Sequence, residues 1–242
     1  MIDILSRFGT SLLIGQFPHG PLGGIALTVV MSAAALLCAF PFAVGIAMAR
    51  TSPVAAVRRL AAVYVYFVRG VPLLLLIFWA YFVVPLVVGF GTSATITVIC
   101  ALVAYEGAYL GEAIRGALEA LPRGQVEASR SLGLGYWSTT TCVVLPQVLV
   151  SCLPSMVNQF IILVKDTSLA SLVGVHELTF SANQINAQLL TQPLEVYALL
   201  AAAYFVLCFA LSRLSQFLEG KIARIRSGSR GIAAVAATAE AI

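Results

Sequence analysis

The chain has 242 residues, of which 60% are hydrophobic and 10% charged. Soluble domains carry about 25% charged residues, so a soluble globular domain is excluded and an integral membrane protein is expected. The net charge of +4 is small, and no basic patch lies outside the flanks of the apolar runs, which argues against a nucleic-acid partner.

In chain order, residues 1–20 are mixed and carry Asp3, Arg7 and His19. They read as an amphipathic opening segment, ended by Pro18-His19-Gly20-Pro21. They hold no short apolar core followed by a small-residue cleavage site, so no removable signal is expected. Residues 22–49 have no charge and suffice for one tilted span, which needs about 20 residues. Pro41 should kink that span. A short basic loop follows at 50–59. The second span, 60–89, is broken by Arg69, Gly70 and Pro72. The third, 94–116, is rich in small residues.

A polar block, Glu127 to Pro146, separates the third span from the fourth. The spacing predicts a short helix over 126–132, stopped by Gly133-Leu134-Gly135, because glycine freely takes the left-handed conformation of helix ends. Leu145-Pro146 marks the start of the next apolar helix, where a missing N–H costs little. The fourth span is 143–164. Residues 165–192 are only moderately apolar and predict short or re-entrant helices. The fifth span is 194–214. Beyond 218 the chain is basic, then Ala-rich.

The expected architecture is therefore an all-α integral membrane protein with five transmembrane helices. It divides into an N-terminal amphipathic segment (1–21), a transmembrane domain (22–218) and a disordered tail (219–242). Placing the 50–59 loop inside puts eleven of the fourteen Lys and Arg residues on one side, the exceptions being Arg7, Arg69 and Lys165. The positive-inside rule then puts the N-terminus outside and the C-terminus in the cytoplasm. The polar block is cytoplasmic.

Several polar residues inside the spans could carry chemistry. Gln147, Ser151, Ser155, Asn158 and Gln159 recur at spacings of three to four, which is one helix face. Polar groups facing lipid are costly, so this face turns to a watery path or to another helix. The stripe leads to Lys165-Asp166-Thr167-Ser168, either an interfacial anchor or a place to meet a charged substrate. Arg69 precedes Gly70 and Pro72, which free backbone groups, and broken helices of this kind often build substrate sites. Its alternative is a side chain that snorkels to the surface. Tyr105, Tyr109, Glu112 and Gly116 share one face of the third span. Glu112, Arg115 and Glu119 are spaced for a salt-bridged helix end. Gly107 and Gly111 permit close helix packing. Glu106 lies deeper with no local partner, so it is protonated, paired across helices, or part of the path.

The chain has no GxxxxGK[ST], HExxH or GxSxG motif and no Cys/His cluster. Neither a nucleotide site of its own, a hydrolase nor a metal enzyme is indicated. The five cysteines, Cys38, Cys100, Cys142, Cys152 and Cys208, have no metal-ligand spacing and read as small hydrophobes.

These residues resemble the membrane subunits of bacterial ABC importers. The polar block matches their cytoplasmic EAA loop through Glu127-Ala128-Ser129, Gly133 and Leu145-Pro146, with Ser129 where the family usually has Ala. More narrowly, the chain looks like the polar amino acid permeases of the histidine/glutamine/glutamate/arginine type. Phe67-Val68-Arg69-Gly70-Val71-Pro72, Ile114-Arg115-Gly116, Pro122-Arg123-Gly124-Gln125, Leu145-Pro146-Gln147 and Lys165-Asp166-Thr167-Ser168-Leu169 carry that likeness. Trp79-Ala80-Tyr81-Phe82-Val83-Val84-Pro85 and Glu106-Gly107-Ala108-Tyr109 lean it to the glutamate/aspartate type.

The resemblance implies a multi-pass inner-membrane permease that is not itself an enzyme and holds no cofactor or metal. ATP and Mg would sit in cytoplasmic ABC ATPase subunits docked on the EAA loop between helices 3 and 4. A periplasmic binding protein would deliver the amino acid. Five spans is half a path, so a second permease chain, homologous or identical, is expected. The substrate pathway would use Arg69, Gly70, Pro72, Glu106, Gln147, Asn158, Gln159, Lys165, Asp166, Thr167 and Ser168. An acidic substrate needs a cation, for which Lys165 and Arg69 are the candidates. Histidine, arginine, lysine or glutamine is the alternative cargo. An ion-coupled secondary transporter is the alternative of another class, and it has no use for a glycine-terminated cytoplasmic helix.

Overall fold

The computed structural model describes residues 2–89, 91 and 93–239, with side chains up to Phe217 except at 2 and 88. Among these residues the regular elements are all helices, with isolated backbone bridges at Gly15–Leu22 and Gly24–Glu177. Helix α1 (Ile2–Ile14) is the amphipathic opening segment, and α2 (Gly24–Arg50) continues unbroken past Pro41. Four stretches are long and apolar enough to cross a membrane: Gly24–Arg50, Ala94–Glu119, Tyr136–Val173 and Pro193–Phe217.

The second expected span is a bent pair rather than one rod. Helix α3 (Ala55–Gly70) and the segment Leu73–Val87, which begins with α4 (Leu73–Phe78), meet at 105°. Val71 is extended, with φ −107 and ψ 134. The proline at 72 disfavours the helical region for the residue before it, and that turns the chain. The bend falls where Arg69, Gly70 and Pro72 predicted a break.

Two wide turns of π-helix follow a common plan. One, Trp79–Val83, leads into α5 (Val84–Val88); the other, Thr139–Val144, leads into α9 (Leu145–Asp166). Each next helix carries proline within its first two positions, Pro85 and Pro146. Proline lacks the N–H that would close an ordinary turn onto the preceding residues, and widening the turn accommodates that loss. The expected helix start at Leu145-Pro146 is thereby corrected. Helical structure begins at α8 (Tyr136–Ser138) and runs through the wide turn into α9.

The packing centre is α2 against α6 (Ala94–Glu119). Met31, Ala35, Ala39, Ala43 and Ala47 recur every fourth residue and are all fully buried. One helix face built of small residues allows the backbones to approach. Gly107 lies against the Phe42 ring, and a Cβ at Gly111 would stand 2.9 Å from Ile46 Cγ2. The predicted small-residue face therefore packs on α2.

Short elements fill 165–192 as expected. They are a 3-10 segment Thr167–Val173 and α10 (Leu178–Leu189). α1 packs on α10 and α11 (Pro193–Ala239) through Ile4, Leu12, Leu178, Ile185 and Val196. The expected tail over 219–242 falls mostly outside the described side chains. Its backbone continues the α11 helix to Ala239, and residues 240–242 lie outside the described residues.

Candidate functional site

Three helices converge on one polar cluster, buried at Glu106 and exposed at Arg69. α6 supplies Tyr105, Glu106 and Tyr109; α9 supplies Gln159 and Asp166; α3 supplies Arg69. On α6, Glu106 falls between an apolar cluster around Ile77, Leu102 and Leu163 and another around Leu110, Ile114 and Val148. Its side chain is 0% exposed, and neither carboxylate oxygen has a hydrogen-bond partner among the described residues. Gln159 is the neighbouring amide, and Asp166 is close enough for its charge to reach both Glu106 and Tyr105. A buried ionised carboxylate is costly without a donor, and an arriving ammonium group would supply one.

At the other end of the cluster the Arg69 guanidinium carbon sits 5.0 Å from the centroid of the Tyr109 ring. Tyr105 and Tyr109 are one helical turn apart, with ring centroids at 4.8 Å and hydroxyls at 3.2 Å. A cation over a tyrosine face is held by the ring quadrupole, which leaves its N–H groups free to bind. The cluster thus offers a guanidinium, two phenols, an amide and two carboxyls.

The structure brings Arg69, Glu106, Gln159 and Asp166 together and separates the other expected pathway residues. Gly70 and Pro72 form the bend itself. Lys165 is exposed, and its charge reaches both Asp166 and Cys208 of α11. Thr167 is buried and donates to the Val164 carbonyl at 2.7 Å, while the Ser168 carbonyl accepts from Ser171 at 2.7 Å. Gln147 is exposed at the far end of α9, where it donates to the Val143 carbonyl at 2.9 Å and lies 3.4 Å from Gln125. Ser155 and Asn158 are exposed on the same face.

The polar block forms a second feature. Helix α7 (Arg123–Ser131) starts three residues earlier than expected, after Pro122, whose fixed backbone suits a helix start. It ends at Gly133, with φ +79. There Leu134 N–H donates to the Ser129 carbonyl at 3.2 Å and Gly133 N–H to the Arg130 carbonyl at 2.9 Å. This closes the helix end as the glycine run predicted. Ser129 is buried and donates to the Gln125 carbonyl at 2.7 Å. Glu127, Ala128 and Pro146 are exposed, Leu145 is half-buried, and Leu132 is 82% exposed.

The acidic and basic end of α6 is salt-bridged as its spacing predicted. Arg115 Nε lies 3.0 Å from Glu112 and its Nη1 2.6 Å from Glu119. Sequence spacing could not reveal the third partner, Arg50 of α2, whose Nε is 2.9 Å from Glu112 across 62 residues. Also missed was a knot around Glu177, which is 0% exposed. Its carboxylate accepts from Thr179 N–H at 2.9 Å, Phe180 N–H at 2.8 Å and the Tyr204 hydroxyl at 2.9 Å. Next to it, Gly24 N–H donates to the His176 carbonyl at 3.0 Å and Leu178 N–H to Thr28 Oγ1 at 3.2 Å. The Glu177-Leu178 dipeptide fits a helix cap, but nothing local announces three tertiary partners.

Fold and site define a polytopic membrane protein with a charged cluster set inside its spans. The chain belongs to the family described as binding-protein-dependent transport system inner membrane component, which matches residues 42–224. It is a multi-pass protein of the bacterial inner membrane. It is 38% identical over 201 residues to the inner membrane amino-acid ABC transporter permease protein YhdY of Escherichia coli, covering 81% of this chain and 55% of that protein. It is 35% identical over 231 residues to the glutamate/glutamine/aspartate/asparagine transport system permease protein BztC of Rhodobacter capsulatus, covering 92% and 52%. The chain thus spans about half the length of these two relatives. Against the probable glutamine ABC transporter permease protein GlnP of Bacillus subtilis it is 36% identical over 198 residues, covering 81% and 90%. Among solved structures, an amino acid ABC transporter crystallised with histidines matches with a TM-score of 0.75 at 29% identity, covering 82% of this chain and 92% of that one.

Proposed function

We propose that the chain is one transmembrane half of an ATP-driven importer for polar amino acids, with glutamate and aspartate as its first substrates. One observation carries the reading. Arg69 stands at one end of a cluster whose other end holds Glu106 and Asp166, with two tyrosines between. That charge order suits a zwitterion, its carboxylate toward Arg69 and its ammonium toward Glu106. A second carboxylate on the substrate would meet Arg69 through paired N–H donors. The names of YhdY, BztC and GlnP, all of them amino acid permeases, support the class.

The positive-inside count supports an external N-terminus and a cytoplasmic α7. On that orientation α7, with Glu127, Ala128, Gly133 and the exposed Leu132, is the docking helix for a cytoplasmic ATPase, which would hold the ATP and Mg. The exposed polar face of α9, Gln147, Ser155 and Asn158, lies within an otherwise apolar span. Lipid is a poor neighbour for it. A second permease chain, homologous or identical, would cover it and complete the path. A periplasmic binding protein would deliver the cargo.

The two carboxyls favour a second reading, a cationic amino acid such as arginine, histidine or lysine. Uptake of labelled amino acids, in cells lacking the gene and with it restored, separates the two. Selective loss of glutamate and aspartate uptake supports the first reading. Loss of arginine, histidine or lysine uptake replaces it with the second. Unchanged uptake of every amino acid overturns both.

A further inference from the structure

A cavity of about 410 Å³ opens at the Arg50 end of α2, between the α2–α3 loop, α7 and the start of the last helical run before α9. It lies at the opposite end of α6 from the opening at Ala94, away from the Tyr105–Glu106 cluster. Small-molecule sites occupy ~300–1,000 Å³, so its size is sufficient for a ligand.

Its chemistry is two-sided. Arg50, Arg58 and Arg130 line one part, and Leu118, Val126 and Val144 another. Glu119 also lines it but is engaged by Arg115 at 2.6 Å. Arg50 gives its Nε to Glu112. Arg58 donates only to the Ser52 carbonyl, at 2.9 Å, and neither Arg58 nor Arg130 has an ion-pair partner among the described residues. Setting Arg50, Arg58, Arg115 and Arg130 against Glu112 and Glu119 leaves two positive charges uncompensated. The Tyr136 hydroxyl is engaged, donating to the Thr51 carbonyl at 3.2 Å, and the Thr140 hydroxyl adds a donor. Trp137, 61% exposed, follows directly and suits a membrane interface.

We propose that this cavity binds the phosphate of an anionic membrane phospholipid, with Arg58 and Arg130 on the phosphate and Leu118, Val126 and Val144 against the glycerol and first methylenes. Free phosphate shares the charge chemistry but has no use for the apolar wall. The wall and the place at the end of two spanning helices favour the lipid. Basic pockets between transmembrane helices recognise headgroups in this way. A bound headgroup here would bridge α2, α3 and α7, and so tie the polar block to the spans. The site is independent of which amino acid is carried.

Native mass spectrometry of the complete assembled importer tests this, after exchange into phosphatidylglycerol or phosphatidylethanolamine. Wild type should retain phosphatidylglycerol through delipidation, and Arg58→Gln should retain it at least about tenfold less. Arg59→Gln, a neighbour that does not line the cavity, should behave as wild type. Equal retention by Arg58→Gln, in a complex that still elutes assembled, overturns the proposal. If the Arg58 variant does not assemble, Thr140→Val provides the same reading at the rim. Thermal stabilisation of the delipidated complex by inorganic phosphate, equal to that by phosphatidylglycerol and lost in Arg58→Gln, assigns the cavity to a soluble anion and overturns the lipid.

Discussion

The Tyr204 hydroxyl on α11 donates to Glu177 Oε2 at 2.9 Å, and the same carboxylate caps α10 through two backbone N–H groups. Tyr204 also meets Thr179 Oγ1 at 3.1 Å. One buried acid therefore holds α10 to α11, next to the backbone bridge that holds α10 to α2. Removing it leaves the Thr179 and Phe180 N–H groups without that acceptor, while the Tyr204 hydroxyl keeps Thr179. Glu177→Ala should cost about 1–3 kcal/mol and lower the thermal midpoint by several degrees. Unchanged melting of the purified protein would contradict this.

The same residue sets a pH dependence. Burial pushes the Glu177 carboxyl up to about 7, against the opposing pull of its hydrogen-bond donors. The folded protein then holds a proton that the unfolded chain, with the ordinary value of 4.5, gives up earlier. The stabilisation is full below pH 4.5 and is lost as pH rises through about 7. Thermal midpoints measured from pH 5 to 8 should fall across that window in the wild type. In Glu177→Gln the fall should disappear.

Glu106 is the test of the polar cluster. Glu106→Gln keeps the volume and removes the charge that would meet an ammonium. Amino acid uptake should drop about tenfold or more, the equivalent of one lost charge-assisted bond, with the assembled complex intact. Uptake at wild-type rate would remove Glu106 from the path.

Gly133 has a backbone angle, φ +79, that L side chains rarely adopt, yet nothing lies within 4 Å of an added Cβ. Strain, not collision, decides the outcome of substitution. Gly133→Val should cost about 1–2 kcal/mol locally and loosen the end of α7, while Gly133→Asn, which tolerates this region, should be milder. Co-purification of the proposed ATPase partner with each variant reads this directly. Equal recovery with both would separate the glycine from docking.

Gly111 presents the opposite case. A Cβ there would meet Ile46 Cγ2 at 2.9 Å and the Ala43 carbonyl at 3.3 Å. Gly111→Val should cost about 1–3 kcal/mol by overpacking α2 against α6, and Ile46→Ala should restore part of it. Yield and melting of the two variants check the pair.

Much of this was legible from the chain itself. The long apolar runs, the break at Arg69–Pro72 and the glycine stop at 133 all depend on local rules of length, proline and left-handed backbone. The salt-bridged turn from Glu112 to Glu119 was legible for the same reason. What was hidden depends on distant partners. Arg50 joins that turn across 62 residues, and Glu177 finds Tyr204 on another helix. The site divided along the same line. Asp166 and Lys165 are neighbours in sequence, yet Asp166 is half-buried near Glu106 while Lys165 is exposed. Tyr105 and Tyr109 were visible as a face, but their place between Arg69 and Glu106 needed α3 folded back by its bend.

The wide turn Thr139–Val144 also bears on how such a chain can change over time. Adding one residue to an ordinary helix rotates everything beyond it by about 100°, which would swing Val148 and Cys152 out of the core. A π turn takes up an extra residue as local bulge instead. Length can therefore vary by a single residue at this point while the downstream face keeps its bearing. Insertions and deletions confined to 139–144 should be among the few in a spanning helix that natural variation tolerates.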